Sequence, residues 1–289
     1  MAKLNKVVDF DKKYEPNNRR AWMIKLFSEF FGTIFLTWMI GLLGVTFGGI
    51  KFETLLSGNG DDYLSNLTIG FWVALDILIC LFVFSRWSCD LNPAVTAYRI
   101  ISKGNTRKYG YSKIAVQFIA AFAAGGLILL TQYISSQVSG GEYDGIYSDK
   151  NTWSAFRANE APGPTDSNSF ARHIVAFLGE LAGTIILLWA IFTKSIKSPA
   201  VHDIVIVMIV GFGVAALLEL STVGWNPART LATNYIFDIV KGGTSGMQLY
   251  WAYLFGPIVA AYVLYYGTIG FHKYVAPAWE KAISWRKVD

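Results

Sequence analysis

"CDLNPAVTAY" at residues 89–98 and "GWNPARTLAT" at residues 224–233 carry the same tripeptide, Asn-Pro-Ala, each directly after a long apolar segment. In a helix interior proline costs about 3 kcal/mol. At the first helical position it costs little, because its missing N–H has no partner there in any case. Asparagine suits the position before, where its side-chain oxygen accepts a helical N–H. Asn92-Pro93-Ala94 and Asn226-Pro227-Ala228 therefore read as two helix starts, capped by Asn92 and Asn226. Only about ten helix-compatible residues follow each one, half of the roughly 20 that a bilayer crossing takes.

The surrounding composition makes the bilayer the relevant solvent. Hydrophobic residues make up 53% of the 289 and charged residues only 16%, too apolar for an ordinary soluble domain. Six segments have membrane length, near 22–44, 67–85, 111–132, 171–193, 203–220 and 248–271. No small-residue cleavage site follows the first, so no cleaved signal peptide is expected. Most of the 25 Lys and Arg fall before the first segment, between the second and third, between the fourth and fifth, and after the sixth. The positive-inside rule then puts both termini in the cytoplasm. Topology accounts for the net charge of +5, and nucleic acid is not needed as a partner.

The chain also repeats. "SEFFGTIFLTW" (28–38) and "GELAGTIILLW" (179–189) share Glu, Gly, Thr, Ile and Trp in register, and each precedes an Asn-Pro-Ala. Each half has an odd number of spans, so the halves enter the membrane in opposite orientation. The expected fold is an all-α membrane protein of six transmembrane helices plus two re-entrant half-helices, an inverted 3+3 repeat. Its parts are an N-terminal tail (1–20), repeat one (21–132), a polar extracellular loop (133–170), repeat two (171–272) and a C-terminal tail (273–289), both tails cytoplasmic. Half-helices survive at membrane depth only where they are buried in protein or line a watery cavity. Two that meet N-terminus to N-terminus each present roughly half a positive charge. That pair repels cations and protons inside a pore.

These features resemble the aquaporin and glycerol-facilitator (major intrinsic protein) family across nearly all of residues 21–272. The matching residues are the two Asn-Pro-Ala motifs, Arg229 after the second, Glu29 and Glu180, and "FGPIVAA" in the last span. The resemblance implies one pore per subunit, assembly as a homotetramer in the lipid bilayer, and conduction of water, glycerol or other small neutral solutes. No metal cluster appears in the sequence, and no cofactor is expected. Counted from each Asn, the family's filter positions fall on Trp72, Val214, Val223 and Arg229. Trp at the first position and a small residue at the second resemble glycerol facilitators rather than water-selective members, which place Phe and His there. The chain departs from the glycerol pattern in two places: Thr230 stands where an Asp is usual, and Tyr253-Leu254 mixes the two subfamilies.

Asp76 is the unusual residue of the filter region. It follows Trp72 by one helical turn and shares its face, with Cys80 continuing the stripe. A carboxyl at membrane depth is a functional candidate, so Asp76 and Cys80 are read as pore-lining. Asp76 either pairs with Arg229 or stays protonated. Glu29 and Glu180, repeated and with no reaction centre to serve, are read as buried acceptors that hold the half-helix backbone. Asp90 is read as a residue of the cytoplasmic mouth or a solvated one. Cys80 and Cys89 set no disulfide framework, and His173, His202 and His272 lack metal-ligand spacing. No nucleophile–base pair or phosphate loop occurs in the sequence, so an enzyme is not expected. The function expected is passive conduction of water and glycerol-like polyols without ions or protons. The alternatives are a water-selective pore with an unusual filter, a proton-coupled transporter using Asp76 or Glu219, and an adhesive or scaffolding protein using the long loop.

Overall fold

Helix α1 (Arg19–Gly41) begins where Asn18, extended at φ −149° and ψ 165°, accepts the Ala21 N–H on its side chain. The computed structural model describes residues 14–42, 46–47, 50–51, 62–138, 170–193, 195–221, 224–241 and 250–284. Val223, nearly all of the 133–170 loop and most of the N-terminal tail lie outside these residues. After α1 comes a small antiparallel hairpin, β1 (Thr46–Phe47) with β2 (Ile50–Lys51). Then follow α2 (Asp62–Phe84), α3 (Pro93–Ile101) and α4 (Arg107–Val138). The second half comprises α5 (Phe170–Phe192), α6 (Pro199–Ser221), α7 (Pro227–Lys241) and α8 (Tyr250–Gly270). One π-helical turn, Phe271–Val275, joins α8 to a short α9 (Ala276–Ser284).

Six of these helices are long and apolar enough to cross a membrane. Among the described residues the fold is all-helical apart from the hairpin, with two half-helices and an inverted repeat. Local capping explains why several spans begin earlier than their apolar runs. The Thr106 hydroxyl accepts the Tyr109 N–H at 3.2 Å and starts α4. Ser198 precedes Pro199, which opens α6 at the position where a missing N–H costs nothing. Half-helix α7 runs to 15 residues against 9 in α3, longer than the sequence suggests.

Helix α2 of the first half packs on α6 of the second, α1 on α4, and α5 on α8. Glycines permit the α2–α6 contact: a Cβ on Gly211 would stand 2.8 Å from the Ala74 Cβ and 3.0 Å from the Gly70 carbonyl. Small residues at such crossings let backbones approach in lipid, where no hydrophobic force drives helices together. Half-helix α3 lies against α4 and α8, and α7 against α4 and α8. Both are thereby walled in by protein, as non-spanning backbone at membrane depth requires.

Candidate functional site

The starts of α3 and α7 meet and are tied to each other. Asn92 Oδ1 accepts the Ala94 N–H at 2.9 Å, and Asn226 Oδ1 accepts the Arg229 N–H at 3.3 Å. Asn92 Nδ2 donates to the Trp225 carbonyl at 2.8 Å, and Asn226 Nδ2 donates to the Leu91 carbonyl at 2.8 Å. The exchange is reciprocal: each amide bonds the carbonyl just ahead of the other asparagine. A primary amide carries two N–H groups. The bridge consumes one from each, which leaves one per asparagine to offer a third party.

The carbonyls used in this bridge belong to residues in an unfavourable conformation. Leu91 has φ 50° and Trp225 φ 34°, both left-handed without being glycine. That region costs an L-residue about 1–2 kcal/mol, and buried carboxylates offset it. Glu29 accepts the Asp90 N–H at 2.9 Å and the Leu91 N–H at 2.8 Å. Glu180 accepts the Gly224 and Trp225 N–H groups, both at 2.6 Å. Space for the two side chains comes from glycine. Any Cβ on Gly32 would collide with Leu91, and one on Gly183 would collide with the Trp225 indole. Strain, brace and clearance recur in both halves.

Of the residues that the motif count singles out, Trp72, Val214 and Arg229 are described. Trp72 donates its indole N–H to the Met39 carbonyl at 2.8 Å. Val214 is buried against Trp225, Val73 and Val210. Arg229 Nη2 reaches the Gly224 carbonyl at 3.1 Å and the Thr230 hydroxyl at 3.4 Å. Asp76 has no exposed surface, and its Oδ1 accepts from Cys80 Sγ at 3.7 Å. No ion pair joins it to Arg229. The structure thus brings Asp76 and Cys80 together and keeps Arg229 beyond ion-pair distance.

The sequence model of the major intrinsic protein family, in turn, matches residues 17–266. The chain belongs to the major intrinsic protein family. Major intrinsic proteins are channels for water and small solutes, not enzymes. With six membrane-length helices, this one is an integral multi-pass membrane protein. Comparison with curated protein sequences gives no match. Among solved structures, the X-ray structure of the aquaglyceroporin from Plasmodium falciparum is similar in fold. Its TM-score is 0.61 at 19% identity, over 89% of this chain and 98% of that one.

This major intrinsic protein also holds a buried ionic cluster that the sequence does not announce. Lys113, 2% exposed, lies 2.8 Å from Glu29 Oε1 and 2.6 Å from Asp90 Oδ2. Arg99 Nε bonds Asp90 Oδ1 at 2.7 Å, and Thr96 donates to Asp90 at 3.0 Å. Gln117 donates to Glu29 and to Thr96. Burial alone would push the Asp90 carboxyl up, but Arg99 and Lys113 outweigh it and hold the group well below the usual carboxylate range. Asp90 is therefore neither a solvated residue nor a loose one: it fixes α3 to α4. Lys113 reads in the sequence as one more positive charge at the start of the third span, whereas α4 carries it a turn and a half inside its own beginning at Arg107. Its only signal is Gln117, one turn on, which places a second polar group on the same helical face. The histidines have local partners: His173 Nδ1 accepts from Trp251 at 3.0 Å, and a ring nitrogen of His202 bonds the Ala190 carbonyl at 2.9 Å. Among the described residues no group of His, Cys, Asp and Glu could hold a metal ion.

Proposed function

We propose that this channel is a passive pore for water and glycerol-like polyols that excludes ions and protons. The observation carrying the reading is the reciprocal bridge from Asn92 and Asn226 to the opposite loop. It fixes two half-helix N-termini face to face, each worth roughly half a positive charge. A cation meets that field after giving up its hydration. A neutral solute instead regains a lost hydrogen bond from the second N–H of each asparagine, so the barrier is selective for uncharged species. The same field, with Asn92 and Asn226 each acting as a donor, interrupts a proton wire.

Trp72, Val214, Val223 and Arg229 form the filter in this reading. The Trp72 N–H is occupied by the Met39 carbonyl, so the indole serves as an apolar wall. A carbon backbone leans on Trp72 and Val223 while hydroxyls bond to Arg229. The name of the structural neighbour, an aquaglyceroporin, is in line with this. The assembly is a homotetramer in a plasma or bacterial inner membrane, with both termini cytoplasmic. Exposed aromatic faces such as Phe71, Phe82 and Phe212 then meet lipid or a neighbouring subunit.

Stopped-flow light scattering of proteoliposomes tests the proposal. Under a sorbitol gradient the vesicles shrink and stay shrunken. Under a glycerol gradient they shrink and then reswell within the trace. Vesicles that stay shrunken in glycerol would identify a water-selective pore instead. Flux that follows an imposed proton gradient and saturates would identify a coupled transporter.

A further inference from the structure

Half-helix α3 has a left-handed residue beyond each end. Leu91 (φ 50°) precedes it and is braced by Glu29; Lys103 (φ 61°) follows it. The exit loop folds back on the helix, the Asn105 N–H donating to the Arg99 carbonyl at 3.0 Å and the Lys103 N–H to the Ile100 carbonyl at 3.1 Å. A left-handed backbone is as unfavourable for lysine as for leucine, so this loop also needs a brace. The segment before α1 supplies it. Tyr14 pairs in parallel with Asn105: its N–H donates to the Gly104 carbonyl and its own carbonyl accepts the Thr106 N–H, both at 3.0 Å. Glu15 accepts the Thr106 hydroxyl at 2.7 Å. The Trp22 indole N–H donates to the Pro16 carbonyl at 3.0 Å, which fastens the segment to α1. The Tyr14 ring stands edge-on to Tyr109 of α4 at 5.8 Å and lies 5.0 Å from the Lys25 ammonium. Lys25 in turn donates to the Trp87 carbonyl at 2.7 Å. The loop into α3 and the loop out of it are thus fastened at one place.

Resting on the reading of Asn92 as a donor in the passage, we propose that Tyr14-Glu15-Pro16 is a clamp that positions α3 and, through it, Asn92. With nine residues α3 is a short rod, so a tilt of its last turn is carried to its first. Arg99 in the last turn links the two ends. Its carbonyl holds Asn105, and its side chain holds Asp90, two residues before Asn92. A chain of bonds therefore runs from Tyr14 through the exit loop and Arg99 to the loop that presents Asn92. When the clamp is released, the left-handed exit loop relaxes, the end of α3 tilts, and the Asn92 amide draws away from the Trp225 carbonyl.

The test compares full-length wild type, Y14A/E15A and E15Q in proteoliposomes at equal incorporation. Water permeability, melting temperature and hydrogen exchange of the amides of residues 99–106 are measured on each. Y14A/E15A loses the ring contacts and the charged acceptor, so these amides should exchange about tenfold faster. Its water permeability should fall at least about twofold, because a loosened bridge presents Asn92 less often. Its melting temperature should stay near that of wild type, since both residues lie outside the six spans. E15Q keeps an oxygen for the Thr106 hydroxyl and should restore both exchange and permeability to near wild type. Faster exchange with unchanged permeability overturns the inference, because the segment would then hold the loop without positioning Asn92. Unchanged exchange overturns it too, as does E15Q falling as far as Y14A/E15A. A large drop in melting temperature alongside lost permeability would assign the pair to folding and overturn the positioning role. A wild type that passes no water overturns the channel reading itself, whereas a conducting wild type matched by Y14A/E15A overturns the clamp alone.

Discussion

Replacing Glu180 measures how much the left-handed turn at Trp225 depends on its brace. In the native chain both carboxylate oxygens are used, each accepting a backbone N–H at 2.6 Å. Hydrogen bonds to a charged acceptor contribute about 1.5–3 kcal/mol each, so E180A removes roughly 3–6 kcal/mol and leaves two buried N–H groups unmet. Gln retains one carbonyl oxygen and turns its amide N–H groups toward the other donor, so E180Q loses roughly half as much. Against this stands the backbone strain at φ 34°, about 1–2 kcal/mol. E180A therefore tips the balance: the loop relaxes, the Trp225 carbonyl leaves Asn92, and the asparagine bridge opens. Thermal melting in detergent and osmotic water permeability in liposomes are measured together. The expected order for both is wild type, then E180Q, then E180A, with E180A permeability at the level of empty vesicles. E180A with wild-type melting and wild-type permeability would refute the brace.

Other perturbations follow from the same geometry. G183A puts a methyl group into the Trp225 indole, and overpacking of this kind costs about 1–3 kcal/mol, read as a lowered melting temperature; G126A, where nothing lies within 4 Å, should be silent. K113M leaves Glu29 and Asp90 without their shared cation. Breaking a buried pair costs about 3–5 kcal/mol, so this variant should melt well below wild type or fail to accumulate in the membrane. The Asp90 carboxyl is depressed in the folded chain, so its contribution is present above the ordinary carboxylate pKa near 4 and disappears as pH falls through the lowered value. Melting followed from neutral to mildly acidic pH should therefore show no loss attributable to Asp90. D90N should melt lower than wild type throughout that range.

How much of this is readable in the chain depends on how local each cause is. A helix start is set by a few adjacent residues, and Pro after a capping Asn announces both α3 and α7 without tertiary information. Glu29 and Glu180 stand out because the same motif is written twice, so repetition substitutes for knowledge of contacts. The left-handed turns at Leu91 and Trp225 carry no signal of their own. Neither residue is glycine, and the conformation is imposed by carboxylates about 45 to 62 positions away in the chain. Lys113 is ambiguous for a related reason. A lysine at the edge of an apolar segment turns equally well toward water or toward a buried acid, and only the packing of α4 against α1 and α3 decides. Hydropathy understates the lengths of α4 and α6 because their caps, Thr106 and Ser198, lie outside the apolar runs that mark the spans.

In the proposed pore, two half-helix tips clasped through Asn92 and Asn226 form the selective passage. The most direct measurement is osmotic water permeability of liposomes carrying wild type or the N92L/N226L double variant at equal incorporation. Wild type should shrink far faster than empty vesicles, and the double variant should match them. Equal permeability of the two proteins, or a wild type no faster than bare lipid, would contradict the account.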